Sequence, residues 1–518
     1  MEGFDPVVRA YPLKFKAPTL GDNRSPEKRL RDALSQELNQ EQLYFPLQIA
    51  RELPDVLPSS GYKVRAIVAK DHCGWRLCGC VPDEKPSKVL GLAVDLGSTS
   101  VVFYLVDLVS GKTIETLSKE NPQRAHGEDI LDRIIFAQRG GLKQLQKEVI
   151  DLFNGSAKEL CKKAEATTSE LFFMSVAGNT TMCHFFLALD PSHICKEPYI
   201  PAVNRFDIIF PSELGLDINP NAPVYVLPNV GSYFGGDLIA GILASKMAER
   251  EEISLLVDVG TNAEVVLGNK DWLVACAGAA GPALEGGILS CGMRAQPGAI
   301  ERVEISPVDL SVHIKTIGDE PPKGLCGSGI IDLLAAMFEA GLVDQTGKLM
   351  IQRDPSRMTK IGHEWAYIVA FETETAHKQP VYITQSDIKN LIRSKGAMYT
   401  ILNVVIQSVG ITFDDIENFY VAGAFGNYID PKKAITIGML PDIPVERFKP
   451  LGNSAGKGAV RVLLDSSSMA RIDEICDKIT YLEMNVRGDF MNQLTGALFL
   501  PHTDLSRFPN VAKRLNLR

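Results

Sequence analysis

The chain runs to 518 residues, 45% of them hydrophobic and 23% charged, with a formal net charge of −9. That length predicts about three or four domains, and the apolar content suits several packed cores and excludes a disordered chain. The acidic balance and the lack of a long basic run argue against a nucleic-acid backbone as partner.

The opening Met1-Glu2-Gly3-Phe4-Asp5 carries neither the basic end nor the apolar stretch of a signal peptide. The ten cysteines are scattered along the chain, so reduced thiols in a cytoplasmic protein are expected. Residues 1–88 read as a linker and a small accessory α+β domain. Ser25-Pro26-Glu27 marks a helix start, with a cap, a proline at the first position and an acid in the first turn. Leu30, Leu34 and Leu38 then recur on one helical face. Residues 62–68 and 75–81 read as strands, and residues 82–86 as a short linker.

Residues 89–253 read as a first lobe. An apolar run ends in Asp95-Leu96-Gly97-Ser98-Thr99-Ser100, and a second apolar run follows at 101–106. That pattern predicts a strand, a tight turn and a strand. Backbone N–H groups in such a turn hold phosphate oxygens, small hydroxyls add donors, and the aspartate holds a hydrated magnesium ion. Residues 128–137 predict an amphipathic helix with Ile130, Leu131, Ile134 and Ile135 on one side. Residues 171–177 predict a buried strand that ends at Gly178-Asn179-Thr180-Thr181. Another strand at 224–228 leads to Gly235-Gly236-Asp237 and a helix through residue 244.

Residues 254–518 read as a second lobe, and it stays open whether the C-terminal segment packs back on the first. Val257-Asp258-Val259-Gly260-Thr261-Asn262 repeats the first turn between apolar runs. One such turn is common in any hairpin. Two in matched contexts predict a duplicated domain that clamps a nucleotide between its halves, with two unrelated hairpins as the plain alternative. Leu325-Cys326-Gly327-Ser328-Gly329-Ile330 opens a helix, with Asp332 expected in its first turn, and its N-terminus suits ribose or phosphate. Residues 397–411, interrupted by Asn403, Gln407 and Ser408, predict a buried helix rather than a membrane span. Phe419-Tyr420-Val421-Ala422 breaks into Gly423-Ala424-Phe425-Gly426, where an adenine ring has close access to the backbone. An ordinary strand-to-helix turn is the alternative there. Residues 451–459, with Gly452, Gly456 and Gly458, enter another helix and suit close helix packing. Residues 482–485 and 490–500 predict a last strand and helix.

In this order the segments resemble the five signatures of the actin, sugar-kinase and heat-shock-chaperone ATPase superfamily. The resemblance implies a two-lobed, actin-like α/β fold of duplicated ribonuclease-H-like halves. Asp95 and Asp258 would anchor magnesium through water. Gly97, Ser98, Thr99, Ser100, Gly260, Thr261 and Asn262 would hold phosphates. Gly327, Ser328, Gly329, Gly423, Ala424 and Phe425 would line the nucleoside. Asp237, on the first connecting helix, takes the place of the residue that orients the attacking water, and a helix-capping aspartate is its alternative.

A closer resemblance covers almost the whole chain. It rests on Gly91-Leu92-Ala93-Val94-Asp95, Asn121-Pro122-Gln123, His126-Gly127-Glu128-Asp129-Ile130, the string at 280–288, Ser290-Cys291-Gly292-Met293 and the string at 325–329. Ala17-Pro18-Thr19-Leu20-Gly21-Asp22-Asn23-Arg24 belongs with them. Together they resemble the reductive activators of corrinoid proteins. Membership implies an ATPase that binds a corrinoid protein inactivated as Co(II) and uses ATP to drive an uphill electron transfer. The product is the methyl-accepting Co(I) state of a methyltransferase system.

Members of that family usually begin with a plant-type ferredoxin domain. This sequence begins at the linker that follows it. The chain is therefore expected to hold no iron–sulfur cluster and to need a separate low-potential donor, a ferredoxin-like protein or domain. Cys73, Cys78 and Cys80 approach the ferredoxin spacing, but the second interval is one residue short and a fourth cysteine is lacking. Cys78 and Cys80 are expected on one face of a strand as core thiols. Cys326 resembles a cluster cysteine of the dehydratase activators; with no second ligand in view it reads as a buried thiol. Cys291 has no role legible in the sequence. His72, His126 and His184 lack metal-ligand spacing. Two rivals remain: a small-molecule kinase of the same superfamily, although no sugar-kinase string is present, and an ATP-binding actin-like scaffold or chaperone for a corrinoid protein. No membrane partner is expected, and self-association as a homodimer stays open.

Overall fold

The computed structural model describes residues 4–39, 41–84, 87–260, 262–279, 281, 287, 289–482 and 490–517. The chain divides into two compact units. One comprises Met1–Lys246 with Ser454–Ile479, the other Met247–Asn453 with Thr480–Arg518.

The first unit opens with a small sheet ordered Val8–Lys14, Lys63–Asp71, Gly74–Pro82 and Leu43–Tyr44. Helices Pro26–Glu37 and Leu47–Ser59 cover it, and Leu30, Leu34, Leu38, Ile49, Leu53 and Leu57 meet Val64, Ala66 and Val68 in its core. Ser25 caps the first helix by accepting the Lys28 N–H at 3.1 Å, and Pro26 sits inside its first turn. The second helix contains Pro54 and Pro58, which disguise it in the sequence.

One expectation fails in this sheet. Ile67 pairs with Gly79 while Val68 pairs with Leu77, so Cys78 is the extra residue of a β-bulge. The bulge resets the alternation. Cys80 packs against the small core, whereas the Cys78 thiol donates to the Asn221 carbonyl at 3.3 Å. The two cysteines therefore serve different neighbours instead of sharing a face. Burial pushes both thiols up to about 12.

The larger sheet of the first unit is ordered Lys112–Glu120, Ser100–Asp107, Leu90–Leu96, Leu171–Gly178 and Val224–Val226. The first three strands are antiparallel, and the last two run parallel to Leu90–Leu96. Every residue of Leu171–Gly178 is buried, as a central parallel strand requires. Helix Ser454–Leu464 belongs to this unit and crosses helix Gly236–Ser245 closely. A Cβ on Gly458 would stand 2.2 Å from the Ala240 carbonyl oxygen. The Ser175 hydroxyl donates to the Ala459 carbonyl at 2.7 Å, which ties the helix to the sheet.

The second unit repeats the order with its own strands. Leu273–Ala279, Asn262–Gly268 and Ser254–Val259 are antiparallel; Asn418–Ala422 and Phe448–Gly452 continue in parallel. Strand Ile479–Leu482 adds to the outer edge. The repeated three-antiparallel, two-parallel order is the duplicated, actin-like α/β fold. Helix Gly327–Glu339 packs on strand Ala299–Ile305, and the long helix Gln385–Ser408 is buried along most of its length. No described helix is long and apolar enough to cross a membrane. Helix Phe490–Ala497 falls where the sequence predicts one; residues 483–489 lie outside the described residues.

Candidate nucleotide site

In the first unit Asp95 is the penultimate residue of Leu90–Leu96, opposite Val102 on one side and Ala177 on the other. Gly97 makes the turn. A Cβ there would lie 2.5 Å from the Ser100 carbonyl oxygen, so a side chain is excluded. Three consecutive carbonyls of the turn are gripped from behind. The Asn121 amide donates to Gly97 O at 2.9 Å, the Arg133 guanidinium donates to Ser98 O at 2.7 Å, and the Asn121 backbone N–H donates to Thr99 O at 2.9 Å. A trans peptide points its N–H away from the preceding C=O. The N–H groups of Ser98 and Thr99 therefore face the opposite way, beside the exposed side chains of Thr99 and Ser100. Burial and the negative charge of Asp95 push the Tyr104 hydroxyl up to about 12.

Asp237 lies in the first turn of Gly236–Ser245, half-buried, and its carboxylate accepts the Leu238 N–H at 2.9 Å. The cap of this helix is Gly235 rather than Asp237. A Cβ on Gly235 would lie 2.5 Å from Asn179 Cα and 2.8 Å from Thr180 N. Gly178, immediately before them, pairs in register with Leu96. The turns carrying Asp95 and Asp237 thus meet at one end of the sheet, joined by Gly178, Asn179 and Thr180.

In the second unit Asp258 takes the matching place, penultimate in Ser254–Val259 and opposite Glu264 and Ala422. Gly423 stands directly beside it. Its φ is +77°, and a Cβ there would lie 2.8 Å from an Asp258 carboxylate oxygen. Desolvation pushes Asp258 from the ordinary 3.8 up to about 6. Gly260 follows the strand and Asn262 begins the next one; Thr261 lies outside the described residues. Gly423, Ala424 and Phe425 open helix Gly423–Tyr428 directly after strand Asn418–Ala422.

Gly327, Ser328 and Gly329 form the first turn of Gly327–Glu339, which is capped by Cys326. A Cβ on Gly329 would stand 2.0 Å from Ile300 O, and the Cys326 thiol donates to that same carbonyl at 3.3 Å. The small residues here let the helix sit tightly on its strand. Asp332 falls in the second turn, not the first, because the helix begins only at Gly327. It is buried, 3.5 Å from the Arg302 guanidinium, and desolvation pushes it up to about 6. The string at Cys291 pairs with this segment: Leu325 N–H donates to Cys291 O at 2.8 Å. Among the described residues no group of three or more histidine, cysteine or acidic side chains is placed to hold a metal.

A family model described as the C-terminal domain of RACo, the ASKHA domain, matches residues 252–512. Models of the RACo middle region and the RACo linker region match residues 90–250 and 3–85. The chain belongs to the RACo family. It is 31% identical over 492 residues to the corrinoid activation enzyme RamQ of Eubacterium limosum, covering 93% of this chain and 81% of that protein. It is 25% identical over 422 residues to the [Co(II) methylated amine-specific corrinoid protein] reductase of Methanosarcina barkeri, covering 75% and 73%. Among solved structures, a reductive activator for corrinoid, iron–sulfur protein superposes with a TM-score of 0.89 at 40% identity, covering 98% of this chain and 81% of that one.

Two RACo-like strings acquire a structural reason. Asn121-Pro122-Gln123 supplies the Asn121 brace, and the Gly127 and Glu128 carbonyls receive the guanidinium of Arg133 at 2.8 and 3.4 Å. Asn121 and Arg133 are the residues that reading for direct ligands misses, although those strings pointed at the segment. The amphipathic helix is observed as Ile130–Phe136, but its inward face is different from the expected one. Arg133 and Ile134 turn inward, while Leu131 and Ile135 are 52% and 45% exposed. The Arg133 guanidinium has neutral acceptors waiting inside, which offsets its burial. His126 pairs with Glu148 at 2.8 Å and stacks on Phe136; buried His184 bonds the Thr180 carbonyl at 2.7 Å. Both are held within the packing of the first unit.

Proposed function

We propose that this protein is an ATP-dependent reductive activator of a corrinoid protein. It binds the partner in its Co(II) state and couples ATP turnover to delivery of one electron, which leaves Co(I) competent to accept a methyl group. The electron comes from a low-potential donor of the iron–sulfur class. The observation that carries the nucleotide part is the same strand order built twice, with Asp95 and Asp258 at the same penultimate position of the same strand. RACo membership and the names of the relatives carry the corrinoid part.

In this reading Asp95 and Asp258 anchor magnesium through water. The chemistry of the donors fits a hard cation, and the desolvated Asp258 gains compensating charge from one. Magnesium, when bound, neutralises phosphate charge. Gly97, Ser98, Thr99, Ser100, Gly260, Thr261 and Asn262 hold phosphates. Gly423, Ala424 and Phe425, with Gly327, Ser328 and Gly329, line the nucleoside. Asp237 orients the attacking water from the first turn of its helix. Because the coupling is reciprocal, a partner that favours the ATP-bound form also tightens ATP binding.

The test combines purified protein, MgATP, a Co(II) corrinoid protein and a low-potential reductant. Phosphate release and the visible spectrum of Co(I) are followed together. Co(I) should accumulate only with ATP, and phosphate release should rise when the corrinoid protein is added. Co(I) formation indifferent to ATP removes the reading. Phosphate transfer to a small acceptor faster than release to water favours the kinase instead.

A further inference from the structure

Arg133 is fully buried, on helix Ile130–Phe136, directly behind the first aspartate turn. Its hydrogen-bond acceptors among the described residues are the Ser98, Gly127 and Glu128 carbonyls and the Met182 sulfur, all neutral. It makes no ion pair among those residues. The nearby acids are engaged elsewhere. The Glu128 carboxylate is 74% exposed and pairs with Arg124 at 2.6 Å; Asp129 caps the helix by accepting the Leu131 N–H at 2.9 Å. A buried cation without a counter-charge is costly, and native proteins normally pair it. Here the charge has no direct ion-pair partner among the described residues, only the through-space pull of Glu128 and Asp129 opposed by Arg124, and it lies one peptide behind a turn whose N–H groups face outward.

We propose that Arg133 is the positioning residue of the first phosphate turn, and that its charge is balanced by the phosphates of the bound nucleotide. The inference rests on the reading of residues 95–100 as a phosphate loop. Arg133 acts twice. Its N–H group fixes the Ser98 carbonyl and so aims the Thr99 N–H outward. Its positive charge, in surroundings shielded from water, adds long-range attraction for an anion that a neutral brace lacks. Asn121 supplies the first effect at Gly97 and Thr99 without the second.

The experiment compares MgATP and adenosine binding, together with thermal unfolding, in wild type, Arg133→Gln and Arg133→Lys. Arg133→Gln should lower MgATP affinity by about tenfold or more, while adenosine affinity stays within about twofold. Arg133→Lys, which keeps the charge and loses the fork, should fall between wild type and Arg133→Gln. Equal loss of MgATP and adenosine would show a merely structural arginine and overturn the proposal, as would unchanged MgATP affinity in Arg133→Gln. Should Arg133→Gln fail to fold, Arg133→Lys decides alone: selective loss of MgATP over adenosine supports the proposal, and parallel loss overturns it. A wild-type protein that binds no MgATP removes the phosphate-loop reading itself, a failure distinct from that of Arg133.

Discussion

The two aspartate turns rest on the same strand order yet meet opposite electrostatic conditions. Behind the first, a buried guanidinium faces only neutral acceptors. At the second, a carboxylate is desolvated until it titrates near 6, with Gly423 pressed against it. What survives in both is the backbone: a penultimate aspartate, an antiparallel neighbour on one side and a parallel one on the other. Strand order is fixed by the need to bury apolar faces and pair the ladder. Side-chain support carries no such constraint, so each turn solved its own problem. One carries a buried positive charge, the other a carboxylate whose ionisation is opposed by burial.

The largest expected effects test whether the turns are functionally equivalent. Asp95→Ala and Asp258→Ala should each lower magnesium-dependent ATP turnover by about a hundredfold or more, with circular dichroism and melting showing an intact fold. Full turnover in either purified variant breaks the pairing of the two turns.

Asp237→Asn should come next. It should reduce turnover while leaving ATP affinity within about tenfold, roughly 1.4 kcal/mol. Affinity that collapses together with the rate would make Asp237 a structural residue or a metal anchor.

Gly423→Ala sharpens the contrast from the second turn. A methyl group there meets both a left-handed backbone angle and an Asp258 oxygen at 2.8 Å. A loss of about 1–3 kcal/mol in unfolding free energy is expected, along with weaker nucleotide binding. Unchanged chemical denaturation and unchanged nucleotide affinity would show that Asp258 is not confined as described.

The last effect concerns the charge of Asp258 alone. Its folded value near 6 lies above its ordinary 3.8, so the folded state holds the extra proton between those values. The burial cost is absent below about pH 4, grows as pH rises towards 6, and is complete at pH 7. Asp258→Asn should therefore be more stable than wild type at pH 7 by on the order of 3 kcal/mol. The gap should close as pH is lowered towards 4. A pH-independent gap in melting curves recorded from pH 4 to 8 would show that Asp258 is not desolvated.

Much of the fold was legible because its signals are local. Ser25-Pro26 announces a helix start, and the two Asp-x-Gly turns sit between apolar runs that can only be strands. What escaped depends on distant groups or on unmarked irregularities. The bulge at Cys78 leaves no trace in composition, yet it sends Cys78 and Cys80 to different neighbours. On helix Ile130–Phe136 the apolar count favoured Leu131 and Ile135, but the protein buries Arg133 because three carbonyls converge on it. The sequence puts Asp332 a turn too early because a Gly-Ser-Gly run does not mark where a helix begins. The candidate ligands themselves, being glycines, hydroxyls and aspartates in turns, announce themselves in sequence. Their braces, Asn121 and Arg133, are ordinary residues until the fold delivers them.

The crossing of Ser454–Leu464 over Gly236–Ser245 carries a consequence for synthesis. The Ser175 hydroxyl and the Ala459 carbonyl it bonds are 284 residues apart in sequence. A ribosome therefore makes nearly all of the second unit before the first receives its closing helix. Until then Ile239, Ala240, Ile242 and Leu243, all buried in the finished molecule, lack that cover. The nascent first unit thus waits through more than two hundred residues of translation with an open seam.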